Sequence, residues 1–344
     1  MKVLPLLAML ALSCTSPYTQ VYPTLVDGKY DSEFPYRGCS AQLEEIGESV
    51  KMVNCIAYYR SYVFTRQENI RVADLTPALL ASRRRESVIA TSQSSGTATI
   101  IHAENRRVVL LTCAHVVGYP DTVVAYYATP EHRQSEFVRS VAIKERQTTY
   151  VAVLPEGGEL DILAMDRTID VALLGKTLDA EPFPPIPRLS FPAGRAKELE
   201  WGSFVYLFGY PSGYRMVTKG IVSSPNRDKR GSFLVDAVFN RGFSGGIALA
   251  IRDGVPNFEL VGIVKLVSGH PAYVLTPHTG DDVADYDPGV PYTGETFVEK
   301  HMDIEYGIVQ AVSMELITGF IAGVRDRLAA RGYPLRFPST TAVP

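Results

Sequence analysis

An excess of charge of either sign is missing from this chain. Across 344 residues, 34 Lys and Arg stand against 37 Asp and Glu, a net charge of −3, and no basic patch marks a nucleic-acid surface. Nucleic acid is therefore set aside as a partner. Long apolar runs are missing as well. After the first dozen residues none approaches the roughly 18 that a membrane-spanning helix needs. No segment repeats at a fixed period, which excludes a propeller or a solenoid. Cysteine is scarce, with four in all. What remains is the composition of a soluble globular protein, 46% hydrophobic and 21% charged, long enough for one large or two ordinary domains.

The first residues read as an export signal rather than as part of a fold. Lys2 supplies a short positive start, residues 3–12 are apolar but too short to span a bilayer, and small Ser13 precedes Cys14. Ala11-Leu12-Ser13-Cys14 is similar to a bacterial lipobox, in which the cysteine is lipidated and becomes the mature N-terminus. The expectation is a signal peptide at 1–13, a lipid on Cys14 that holds the chain to a membrane, and a place in the bacterial cell envelope or periplasm. A plain secretory signal is the alternative. Export permits a disulfide, for which Cys39 and Cys55 are the local candidates; Cys113 then acts as a small buried hydrophobe.

Residues 14–84 read as a tether and N-terminal extension. The stretch 15–35 lacks periodicity, 52–65 is apolar and aromatic enough for one or two strands, and 72–80 suits a short helix. Arg83-Arg84-Arg85 reads as a solvated link more readily than as a processing site. From residue 87 the pattern is all-β. Short β-branched runs at 88–91, 98–102, 108–112, 123–127, 151–154, 171–174, 204–208, 216–223, 232–238, 247–251 and 260–266 are separated by turn formers such as Asp253-Gly254. That many short strands argue for a barrel or a sandwich. Val312, Leu316, Phe320, Val324 and Leu328 then recur every four residues, a helical stripe closed by Gly332 and Pro334. Between strands and helix, 268–303 reads as a solvated acidic loop. Calcium held by Asp281, Asp282, Asp285 and Asp287 is the lesser alternative, because their spacing is not that of an EF-hand.

One stretch organises the chemistry. In Gly242-Phe243-Ser244-Gly245-Gly246 a serine is wrapped in glycines, which suits a sharp turn that leaves N–H groups converging on one place. Alone it fits a nucleophile elbow, a protease serine loop or a plain hairpin turn. Two stretches upstream decide among these. Residues 108–117 form a hydrophobic strand end carrying His115, and Asp170 heads the buried run 171–174. The order His, Asp, Ser is not that of an α/β-hydrolase, and the run 247–251 is too short for the helix an elbow requires.

These motifs resemble those of the trypsin-like serine peptidases of the chymotrypsin fold, in particular the bacterial HtrA/Deg-like branch without a PDZ domain. Thr112-Cys113-Ala114-His115-Val116-Val117 is similar to the branch's T-x-A-H-V-V, Asp170-Val171-Ala172-Leu173-Leu174 to its D-[IVL]-A-[VL]-[LI], and Ser95-Gly96-Thr97 to its opening S-G strand. Gly209-Tyr210-Pro211-Ser212-Gly213, Gly220-Ile221-Val222-Ser223 and Val261-Gly262-Ile263-Val264 also have counterparts. The resemblance implies an all-β fold of two six-stranded antiparallel barrels with a C-terminal helix, over residues 85–333, and a tail at 334–344. It implies a serine endopeptidase acting on protein or peptide substrates, with no cofactor and no metal. His115, Asp170 and Ser244 would form the triad, and the N–H groups of Gly242 and Ser244 the oxyanion hole. Val238, with Gly262, Ile263 and Val264, would line the primary specificity pocket. The chain departs from the family at Phe243, where Asn or Asp is usual, and at Ile247 in place of proline. Two readings of another class remain: a catalytically silent binding module, and a structural lipoprotein docking a partner through residues 58–64. No oligomeric state is read from the sequence.

Overall fold

A computed structural model of the chain describes residues 26–128, 134–238, 240–277, 289 and 296–335. The signal, Cys14 and the four aspartates of the calcium alternative lie outside them. The described strands form two antiparallel units, followed by one long helix. No helix among the described residues is long and apolar enough to cross a membrane.

The first unit is a seven-stranded sheet in the order β4 (Thr122–Ala128), β5 (Gln134–Tyr150), β1 (Val50–Val63), β2 (Val88–Glu104), β3 (Arg107–Thr112), β7 (Val171–Thr177), β6 (Asp161–Asp166). A closed six-stranded barrel was expected here. The sheet is one strand wider and its edges do not zip together, because the insertion between His115 and Asp170 folds as the β4–β5 hairpin on one side. It curls back only at the isolated bridge Tyr150–Glu159, where Leu160 N–H donates to Thr149 O at 2.8 Å and Val151 N–H to Gly158 O at 2.9 Å. The apolar run 151–154 is this turn rather than a strand. β1 comes from the stretch read as an extension, yet it lies inside the sheet between β5 and β2.

The second unit is a closed six-stranded barrel, as expected: β10 (Phe233–Asp236), β13 (Thr296–Ser313), β12 (Phe258–Pro277), β11 (Ile247–Ile251), β8 (Phe204–Gly209), β9 (Met216–Ser224), with β9 pairing back onto β10. β11 shows why its run has no polar residue. Ile247, Leu249 and Ile251 pack into the core shared with the first sheet, while Ala248 and Ala250 point into the barrel's own core. Both faces of the strand are buried, and small residues fit the narrow interior. The β12–β13 ladder continues to Pro277 opposite Thr296, so much of the expected acidic loop is a two-stranded arm.

The closing helix spans Met314–Ala330. Ser313 caps it by accepting the Leu316 N–H, and Glu315 sits in the first turn where the helix dipole favours an anion. Its end is a Schellman turn: Tyr333 N–H donates to Leu328 O and Gly332 N–H to Ala329 O, with Gly332 at φ +82°. Met314, Ile317, Ile321 and Leu328 are the buried face, while Leu316, Phe320 and Val324 pack at its margin. A strict four-residue spacing drifts off a 3.6-residue helix, which moves the expected stripe toward the edge.

The N-terminal segment packs on the second barrel from Tyr30 onward. Asp31 N–H donates to Ile251 O at 2.9 Å and its carbonyl accepts Phe204 N–H at 2.8 Å. Tyr30 OH donates to Glu259 Oε2 at 2.5 Å and accepts Arg195 N–H at 2.8 Å. The candidate disulfide does not form. Cys39 Sγ lies 3.5 Å from Tyr206 OH at the second barrel, and Cys55 Sγ lies 3.3 Å from Thr149 Oγ1 within the first sheet.

Candidate active site

Strand pairing brings His115 and Asp170 together. β3 and β7 are antiparallel neighbours with Thr112 opposite Ala172, so the residues just after β3 lie beside those just before β7. A one-turn helix, Ala114–Val117, carries His115, and the β6–β7 turn delivers Asp170. Asp166 Oδ1 holds that turn by accepting the N–H groups of Thr168 at 2.8 Å and Ile169 at 3.3 Å. Asp170 sits at φ +62°, a left-handed conformation that a non-glycine residue adopts at some cost.

Both carboxylate oxygens of the buried Asp170 are taken by one partner. Oδ1 accepts the His115 backbone N–H at 2.8 Å, and Oδ2 lies 2.7 Å from His115 Nδ1. An ionised carboxylate only accepts, so Nδ1 carries the proton and Nε2 keeps its lone pair. The His115 side chain is 40% exposed, against 9% for Asp170, which leaves the ring reachable from solvent.

Cys113 completes the cluster. Its thiol donates to Val264 O at 3.2 Å, and its sulfur lies within 4.8 Å of the His115 and Asp170 donor atoms. Burial, reinforced by the Asp170 charge, pushes this thiol well above its ordinary range. It stays a neutral, inert sulfur, as its hydrophobic setting suggests.

Ser244 stands in a loop that the second barrel presents to the same place. Its carbonyl accepts the Thr97 N–H at 2.8 Å, and the next N–H, of Gly245, donates to Val264 O at 2.8 Å. Gly242 sits at φ +104°, and a Cβ there would lie 2.2 Å from Tyr210 O. At Gly245, φ +85°, a Cβ would lie 2.1 Å from Thr97 O. Both positions demand glycine for conformation and for space. Neither the Gly242 nor the Ser244 N–H makes a hydrogen bond among the described residues. The half-buried Ser244 hydroxyl likewise makes none to His115.

Phe243, the departure from the family pattern, is buried under the loop in the second barrel's core. Its ring takes the space above Gly209, where a Cβ would meet it at 2.4 Å. The residues expected to line the specificity pocket differ in exposure. Ile263 and Val264 are fully buried in the two cores on opposite faces of β12, and Gly262 packs against the Val312 carbonyl. The side chains of Ile263 and Val264 are thus turned into the cores, whereas Val238 is 76% exposed.

Thr97 is a site residue that the motif reading passed over. Wholly buried, it donates its N–H to Ser244 O, donates Oγ1 to Gly242 O at 2.6 Å and accepts the Tyr210 N–H at 2.9 Å. Thr112 Oγ1 donates to the Thr97 carbonyl at 2.6 Å. In sequence it is one more hydroxyl residue in a strand that also carries Ser94, Ser95 and Thr99, so nothing local distinguishes it.

Comparison with known proteins bears on the same stretch. Residues 96–263 match the family model of the trypsin-like peptidase domain, a span that contains His115, Asp170 and Ser244. Among solved structures, the chain is similar to the inactive form of Rv3671c from M. tuberculosis H37Rv, with a TM-score of 0.40 and 15% identity over 86% of this chain and 96% of that one. It is similar to Deg5 with a TM-score of 0.37 and 17% identity, over 66% of this chain and 83% of that one. The search of curated proteins finds no match. The matched span identifies residues 96–263 as a trypsin-like peptidase domain, and the closed barrel beside a curled sheet with its closing helix agrees with a chymotrypsin-like two-barrel fold.

Proposed function

We propose that the chain is a serine endopeptidase whose triad is Ser244, His115 and Asp170, exported and held to the bacterial cell envelope by a lipid on Cys14. The observation that carries the catalytic reading is the double hydrogen bond from His115 to Asp170, beside a glycine-lined serine loop with two uncommitted N–H groups. Ser244 Oγ attacks the substrate carbonyl carbon while His115 Nε2 takes its proton. That proton then passes to the leaving amine, and water releases the acyl group by the reverse sequence. Asp170 keeps the ring in the Nδ1–H tautomer and stabilises the imidazolium. The N–H groups of Gly242 and Ser244 receive the oxyanion, each such donor contributing about 2.7–4 kcal/mol in the transition state. The missing hydrogen bond between Ser244 and His115 is of the kind that tightens once substrate is bound.

Fluorophosphonate labelling tests the triad, because only an activated serine reacts. The wild type is expected to label and to cleave peptides, and Ser244→Ala to do neither while keeping its circular dichroism spectrum. Proteolysis retained in that variant would sink the assignment. Anchoring is read by fractionation: Cys14→Ser should move the protein from the membrane to the soluble fraction.

A further inference from the structure

A cavity of about 370 Å³ opens beside the catalytic segments, away from the loop that holds Ser244 itself. Thr168 and Ile169 form one wall and run directly into Asp170. Lys265 forms another. It follows Val264, whose N–H and carbonyl are both bonded to the two glycines after Ser244, at 2.7 and 2.8 Å. An occupant would therefore lie against the chain leading to the acid and the chain lacing the nucleophile loop.

The charge of the lining is one-sided. Arg227, Arg230 and Lys265 stand against Asp228 alone. Asp228 is committed to its own turn: Oδ1 accepts the N–H groups of Arg230 at 2.9 Å and Ser232 at 3.1 Å, and Oδ2 accepts Ser232 Oγ at 2.7 Å. Its contact with the Arg230 guanidinium is loose, at 3.8 Å. Arg227 and Lys265 have no acidic partner among the described residues. Beneath these cations the floor is apolar, with Phe233, Val312 and Leu316. A methylene stem over an apolar floor with a carboxylate among cations is the shape and charge of a glutamate side chain.

We infer that this cavity is a substrate subsite for an acidic side chain of the peptide being cleaved. The inference rests on the triad reading above and names the class of substrate that the same site takes. The test uses the full chain and three sets of fluorogenic peptides that differ only by Glu, Gln or Lys at each position flanking the scissile bond. At one or more positions Glu is expected to exceed Gln in kcat/KM by about fivefold, the range of a partly exposed ion pair. The margin should shrink in about 1 M salt, where the Debye length falls to about 3 Å. Arg230→Glu and Lys265→Glu should turn the preference toward Lys, a gain that a misfolded variant cannot give. Equal cleavage of Glu and Gln peptides at every position by a wild type that labels with fluorophosphonate overturns the subsite alone. So does a preference for Glu that survives both charge reversals. A wild type that neither labels nor cleaves overturns the triad reading along with it.

Discussion

Thr97 commits its backbone N–H and its hydroxyl to the seam between the two units, while its carbonyl accepts from Thr112 within the first. The hydroxyl holds the Gly242 carbonyl and hence the peptide that enters Phe243, within the loop whose N–H groups are proposed to receive the oxyanion. It is a positioning residue, acting through Gly242 rather than on substrate. Thr97→Val keeps the shape and removes the hydroxyl, leaving Gly242 O and Tyr210 N–H buried without it, at a cost of about 1–3 kcal/mol. The expected outcome in steady-state kinetics is a kcat lowered about tenfold with KM within about twofold, and recovery with Thr97→Ser. A rise in KM alone would mean that the clamp shapes binding instead. The pairing of His115 with Asp170 was legible in the sequence because each ends or heads a hydrophobic run. Thr97 was not, because its partners across the seam lie more than a hundred residues away. Phe243 looked like an anomaly for the same reason: its burial is decided by Gly209, and nothing local reveals it.

At the scale of elements, periodicity was readable and partnership was not. The buried run of β11 and the closing helix followed from local pattern. Strand β1 was readable as a strand but its place was not, since a half-buried aromatic strand carries no mark of which sheet it enters. The apolar stretch 151–154 shows the opposite failure, as a turn that is buried and so resembles a strand. The N-terminal segment was read as a tether because it has no period, yet single residues tie it down. Asp31 is one of them. Burial, joined by the charges of Glu33, Asp253 and Asp27, pushes its carboxyl up to about 6, against the Gly254 N–H that favours the anion. A folded-state value above the unfolded one means that protonated Asp31 favours the fold. This contribution is complete below pH 4 and is lost as the pH rises through about 6. Melting temperatures of wild type and Asp31→Asn, compared from pH 4 to 7, should show the wild type losing ground to the variant as the pH rises. A constant difference would mean that the carboxyl titrates alike in both states.

At the scale of the molecule, the chemistry is divided. His115 and Asp170 ride on the curled sheet, and Ser244 rides on the closed barrel. The contact between them is close: a Cβ at Gly96 would lie 2.9 Å from Ser244 O and 2.8 Å from the Val116 methyls. Each unit has its own complete hydrogen-bond ladders, and slippage of one against the other breaks none of them. The reactive geometry tolerates far less displacement than the ladders do, since misplacement by about 1 Å can cost about a hundredfold in rate. The seam should therefore soften before either half does. Followed by fluorophosphonate labelling, activity should fade several degrees below the transition seen by far-ultraviolet circular dichroism, and should return on cooling from that interval. Coincident curves would mean that the halves melt as one. On that outcome a peptidase of this construction would have a thermal off-position short of unfolding, falling silent with its backbone intact and resuming without having to refold.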